Sequence, residues 1–191
     1  MIKKHIVIFA SGGGSNAEVI MRHFKNHPSI DVVLVVSNNP KAGVLHRADS
    51  FGVPCYVYQS AELENGILEK TLKAYRADFI VLAGYLKKIP DPLIKKYNNR
   101  MVNIHPALLP KFGGKGMYGM NVHKAVVAAG ENKSGITIHY VNEHYDEGAI
   151  IEQHEVEISP GDSAERVAQK VLELEHRYFA PCIENMVLKL E

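Results

Sequence analysis

Apolar residues follow two rhythms along this chain. Ile6 to Ala10, Asp31 to Val36, Val53 to Tyr58 and Phe79 to Leu82 are short runs rich in apolar and β-branched residues, the mark of strands buried on both faces. Between them the apolar positions fall at helical spacing. Ala17, Ile20, Met21 and Phe24 define a helix over Asn16 to Lys25. Further helices are predicted over Val44 to Phe51, closed by Gly52, and over Gly66 to Tyr75. Pro92 to Tyr97 reads as a short helix before a fifth strand, Arg100 to Ile104. This alternation predicts an α/β protein: a Rossmann-like open, mostly parallel sheet with helices on both faces and right-handed crossovers. Ligands of such sheets gather at the carboxyl ends of the strands, near the point where strand order reverses.

The rhythm changes after Pro110. Lys111 to Met120 is glycine-rich and aperiodic, which predicts a mobile loop. A helix is expected over Asn121 to Ala129, and two strands, Ile136 to Val141 and Ile150 to Ile158, flank the polar turn Asn142 to Gly148. Ser163 to Leu188 carries one long helical pattern. Ser163 suits its N-cap, but Arg166 stands where a capping box needs Glu or Gln, and Pro181 is expected to kink or split the helix.

No repeat divides the 191 residues, so a single domain over 1–191 is expected. At 46% hydrophobic there is enough apolar material for a sizeable core. The net charge of +1, with lysines in scattered pairs (Lys3-Lys4, Lys87-Lys88, Lys95-Lys96), gives no footprint for nucleic acid. No apolar run approaches the roughly 18 residues of a membrane span, and the N-terminus lacks a signal-peptide pattern. A cytoplasmic protein is expected. Cys55 and Cys182 match no metal or redox spacing and read as small buried hydrophobes. The histidines form no HExxH or comparable ligand set, so no metal is expected.

Three places carry candidate chemistry. Asn103-Ile104-His105 puts a carboxamide and an imidazole two residues apart at a strand end, hence on one face, before Pro106 and Pro110 force a loop. Ser11-Gly12-Gly13-Gly14-Ser15-Asn16-Ala17 joins the first strand to the first helix and matches G-x-G-x-x-A. The second strand ends Val36-Ser37-Asn38-Asn39, without the acidic residue that holds a dinucleotide's ribose, so NAD is not expected. The loop instead suits a single phosphate monoester, met by backbone amides and a helix N-terminus. Asp146 lies in the polar turn; beside His105 a carboxylate would favour the imidazolium and orient the ring. These groups suit acyl transfer through a tetrahedral intermediate. No G-x-S-x-G nucleophile is present, so the nucleophile would be the substrate itself, most simply an amine.

From Ile6 to about Ile183 the chain resembles the phosphoribosylglycinamide formyltransferases, folate-dependent enzymes of purine synthesis. The resemblance rests on Gly12-Gly13-Gly14-Ser15-Asn16, Leu82-Ala83-Gly84-Tyr85-Leu86, Asn103-Ile104-His105-Pro106-Ala107-Leu108-Leu109-Pro110 and Tyr145-Asp146-Glu147-Gly148, in that order. It implies a nucleotide-phosphate half over about 1–100 and a catalytic and folate half over about 101–191. Gly14, Ser15 and Asn16 would hold the phosphate, and Glu175 the ribose or glycinamide portion, of phosphoribosylglycinamide. Leu86, Lys87, Lys88, Ile89 and the turn from Asn142 to Asp146, with Asn103, would wrap the pterin of 10-formyltetrahydrofolate, a co-substrate. Asn103, His105 and Asp146 would be the catalytic trio: Asn103 and protonated His105 would stabilise the oxyanion, and Asp146 would raise the pKa of His105. The implied partners are these small molecules, with no nucleic acid or membrane, in a monomer or homodimer.

The chain departs from the family pattern at three points. Lys87-Lys88 stands where an arginine and an apolar residue are expected; lysine keeps the charge but loses the planar fork. The loop from Phe112 to Met120 is longer and richer in glycine, and Asn121 occupies a position where many relatives carry histidine, while His123 matches. The rival reading is a formyltetrahydrofolate hydrolase, with water in place of the amine. The Gly-Ser-Asn loop speaks for the transferase, and the regulatory domain that precedes the hydrolases' first strand is not expected here. Transferases acting on initiator tRNA, with their extra basic domain, are not expected in a chain of this length.

Overall fold

Alternate residues of each strand go to opposite faces of one sheet, and the two faces collect two separate cores. The computed structural model describes residues 3–59, 62 and 66–190. Its strands are β1 (Lys4–Phe9), β2 (Ile30–Ser37), β3 (Cys55–Val57), β4 (Phe79–Leu82), β5 (Met101–His105), β6 (Lys133–Tyr140) and β7 (Ile150–Glu157). Its helices are α1 (Ser15–Phe24), α2 (Gly43–Ser50), α3 (Ile67–Ala74), α4 (Asp91–Lys96), α5 (Met120–Ala128) and α6 (Ala164–Val187). Ile6, Ile8, Phe79, Val81, Val102, Ile104, Ile136 and Ile138 pack against α1, α2 and α6. Their neighbours Val7, Phe9, Ile80, Leu82 and Met101 pack against α3 and α4 on the other face. This two-sided burial is why the parallel strands read as continuous apolar runs.

The strand order is β3-β2-β1-β4-β5-β6-β7. β1 to β5 run parallel, and β6 and β7 are antiparallel to their neighbours. The chain builds outward from β1 to β3, then crosses back to β4. The order therefore reverses between β1 and β4, and a crevice opens at their carboxyl ends. Ser11, just past β1, closes its floor: its amide donates to Gly84 O at 3.0 Å, and its hydroxyl accepts from Leu86 N at 3.0 Å.

Two expectations need correction. Cys55 is exposed, whereas Cys182 is buried. β3 is an edge strand of three residues; Tyr56 packs toward the core, so Cys55 and Val57 on either side point outward. Pro181 does not split α6, which runs unbroken from Ala164 to Val187 with Pro181 inside it. Phe179, Ala180, Cys182 and Ile183 flank the proline and are all buried, so packing on the sheet holds the turn that the missing N–H weakens. Ser163 caps α6 as expected, its hydroxyl accepting from Arg166 N at 3.3 Å. Among the described residues, no helix is long and apolar enough to cross a membrane.

Candidate active site

β5 presents Asn103 and His105 on the face opposite Val102 and Ile104, as period-two alternation requires. The ends of β5 and β6, the loop over residues 112–114 and the turn carrying Asp146 close around them. His105 is only 3% exposed. Its Nε2 lies 2.8 Å from the Phe112 carbonyl, which can only accept, so Nε2–H donates there. Its Nδ1 lies 3.5 Å from Asp146 Oδ2. The same carboxylate oxygen accepts from Gly114 N at 2.9 Å. Asp146 adopts a left-handed backbone (φ 57°), which turns its carboxylate back toward β5.

His139 completes this cluster, and the sequence reading gave it no role. It pairs directly across from Asn103 in the β5–β6 ladder. His139 Nδ1–H donates to Tyr140 O at 2.8 Å, which leaves Nε2 to accept from Asn103 Nδ2 at 3.1 Å. Asn103 Nδ2 also stands 3.5 Å from Asp146 Oδ1. Thr137 was missed too. Its buried hydroxyl donates to Ala107 O at 2.7 Å and accepts from Leu109 N and Gln153 Nε2. Thr137 thus ties the loop after His105 to the sheet. The available signal was polar residues at 137 and 139 alternating with apolar 136 and 138.

The electrostatics of the trio depart from the expectation. Burial pushes the His105 pKa down, and this outweighs the upward pull of Asp146 and of the Phe112 carbonyl, so His105 is below its ordinary value rather than above it. Burial also pushes Asp146 upward, yet the His139 and His105 rings and the Gly114 amide prevail and hold it below the usual carboxylate range. An ion pair alone would raise the histidine and lower the aspartate. Only the aspartate follows, because His105 is the more deeply buried partner. At neutral pH the site therefore holds an ionised Asp146 beside a neutral His105.

The trio lines a cavity of about 740 Å³ that also takes in Asn16 and Glu175. Leu86, Lys87, Lys88, Ile89 and Asn142 form another stretch of its wall. Gly14 and Ser15 adjoin Asn16 but are not among the lining residues. Ile89 is mainly a core residue at 3% exposure, and Lys88 Nζ pairs with Asp91 Oδ1 at 3.2 Å. His123, unassigned from sequence, also lines the cavity and is buried.

Glu175 reaches from α6 to accept from Asn16 Nδ2 at 2.8 Å. Burial pushes its carboxyl up to about 7, only partly opposed by Asn16. The unfolded chain ionises this group near its ordinary value, so the folded protein holds a proton the unfolded chain lacks as pH rises toward 7. Stability then falls across that window and stays lower above it. Glu175→Gln removes this slope, and its new amide offers a donor to Asn16 Oδ1, a buried atom without a partner. Urea unfolding should find the variant more stable than the parent at pH 8, by up to about 3 kcal/mol, and little different at pH 4.5. Equal stability at pH 8 would show that the buried carboxylate costs nothing.

The fold and this cluster define a formyl transferase, and residues 4–183 match the model of that family. The chain belongs to the formyl transferase family. It is 43% identical over 190 residues to the chloroplastic phosphoribosylglycinamide formyltransferase of Vigna unguiculata, covering 96% of this chain and 61% of that protein. It is 35% identical to the phosphoribosylglycinamide formyltransferase of Bacillus subtilis (strain 168), covering 96% of this chain and 95% of that one. The chain thus spans less than two thirds of the chloroplastic relative but nearly all of the bacterial one. The crystal structure of phosphoribosylglycinamide formyltransferase from Bacillus halodurans superposes with a TM-score of 0.87 at 35% identity, over 98% of this chain and 97% of that one.

Proposed function

We propose that this protein transfers the formyl group of 10-formyltetrahydrofolate to the amine of 5'-phosphoribosylglycinamide, giving the formylated ribonucleotide and tetrahydrofolate. The observation that carries this reading is the single cavity shared by Asn103, His105, Asp146, Asn16 and Glu175. It gives an acyl-transfer constellation and a polar ribonucleotide end one common space. The names of the relatives point to phosphoribosylglycinamide as the acceptor, and the resemblance of the sequence to folate-dependent formyltransferases points to the donor.

In this reading Gly14, Ser15 and Asn16 meet the phosphate, and Glu175 the ribose or glycinamide part. Leu86 to Ile89 and Asn142 to Asp146 face the pterin. The amine attacks the formyl carbon, and a C–N bond forms as the carbonyl electrons move to oxygen. Collapse of the tetrahedral adduct breaks the bond to the folate nitrogen, and the proton lost by the amine ends on that nitrogen. In the free protein His105 Nε2–H and the Asn103 amide are spent on Phe112 O, His139 and Asp146. The developing oxyanion takes over these donors by exchange. Its charge, added to that of Asp146, offsets the burial that keeps His105 neutral, so the imidazole takes up the amine's proton at that moment and gives it back as the folate nitrogen leaves.

The test is mass analysis of the ribonucleotide after incubation with formyl folate. One added formyl group on the glycinamide amine is expected. Unchanged ribonucleotide alongside consumed formyl folate would contradict the proposal.

A further inference from the structure

Two carbonyls of the glycine loop are held from behind by α2. Val44 N donates to Gly12 O at 3.1 Å, and Arg47 Nε donates to Gly13 O at 2.8 Å. In a trans peptide the C=O and the following N–H point opposite ways across one plane. Holding Gly12 O and Gly13 O toward α2 therefore aims the amides of Gly13 and Gly14 away from it. Those amides, and those of Ser15 and Asn16 at the start of α1, donate to no partner among the described residues. Gly14 has a left-handed backbone (φ 77°), and a Cβ there would sit 2.5 Å from Val44 Cβ. The loop lies directly on the helix that holds it.

Arg47 also bears on the charge at this end of the site. The first turn of α1 carries Glu18, whose negative charge would oppose an anion bound at the start of that helix. Arg22 holds Glu18 Oε1 at 2.6 Å, and Arg47 makes an ion pair with Oε2. Arg47 is 41% exposed and is not among the residues lining the cavity, so its effect on a ligand passes through the loop and Glu18.

We propose that Arg47 is a positioning residue for the substrate's phosphate monoester: it fixes the Gly13 peptide so that the loop amides face the anion, and it cancels the charge of Glu18. This rests on the reading of the glycine loop as the phosphate end of the ribonucleotide site.

The test compares the parent enzyme with R47A and R47K on phosphoribosylglycinamide and on the same amine lacking its phosphate. Inorganic phosphate serves as a competing probe. R47A should raise KM for the phosphorylated amine roughly tenfold, the scale of one charge-assisted hydrogen bond, and weaken inhibition by inorganic phosphate in parallel. kcat, and kcat/KM for the unphosphorylated amine, should stay within about twofold. R47K, which keeps the charge and an ammonium with donors for both Gly13 O and Glu18, should recover most of the loss. R47Q keeps a long side chain and serves if R47A does not fold. An equal loss on both amines, or an unchanged KM, would overturn the proposal. A parent enzyme without preference for the phosphorylated amine would instead remove the phosphate-loop reading, and the role of Arg47 with it.

Discussion

Replacing His105 by Ala is expected to lower kcat by about three orders of magnitude and to leave KM for both proposed substrates nearly unchanged. The size follows from the position. His105 is buried where β5 ends, its Nε2–H is spent on Phe112 O, and Asp146 stands at its other nitrogen. The ring therefore offers little to a ground-state substrate. In the proposed mechanism its contact forms when charge develops on the formyl oxygen, and an interaction made only in the transition state appears in kcat. The variant also frees the Phe112 carbonyl, so circular dichroism and thermal unfolding should accompany the kinetics. A loss confined to KM, with kcat intact, would assign His105 to binding and remove it from the chemistry.

Gly148→Ala is expected to cost about 3 kcal/mol of stability and most of the activity, although residue 148 touches no proposed substrate. A Cβ there would stand 1.7 Å from the Tyr140 carbonyl oxygen and 3.4 Å from His139 Nδ1. Tyr140 O is the atom that holds His139 Nδ1, and Tyr140 N is bonded to Ala149 O at 3.0 Å. The added methyl must push the Asn142 to Gly148 turn away from the end of β6. Asp146 sits on that turn two residues earlier, so its carboxylate moves off His105 and Asn103 together. Denaturant unfolding and turnover of the same preparation check both effects. A stable, fully active variant would show that the turn yields without disturbing the trio.

The first half of the sheet was legible because burial on both faces writes itself as uninterrupted apolar runs. The runs at Ile6 to Ala10 and Phe79 to Leu82 became β1 and β4 with shifts of one or two residues at most. The shared face of Asn103 and His105 was legible as well, since strand periodicity is local. The ladder partner of Asn103 was not. His139 meets it only through the β5–β6 register, a non-local pairing that periodicity does not encode. The protonation of His105 lay equally out of reach. A neighbouring carboxylate was anticipated, but the loop over residues 112–114 also folds down to bury the ring, and that burial decides the direction. The burial of Cys55 and a split at Pro181 failed for one reason. Each was judged by residue type, whereas an edge strand in one case and a well-packed helix in the other set the outcome.

The most direct test of the account is whether loss of formyl folate depends on the amine. Following 10-formyltetrahydrofolate with and without phosphoribosylglycinamide, the account predicts consumption only when the amine is present, with one ribonucleotide formylated per folate consumed. Deformylation at the same rate without the amine would leave fold and family standing and contradict the proposed transfer.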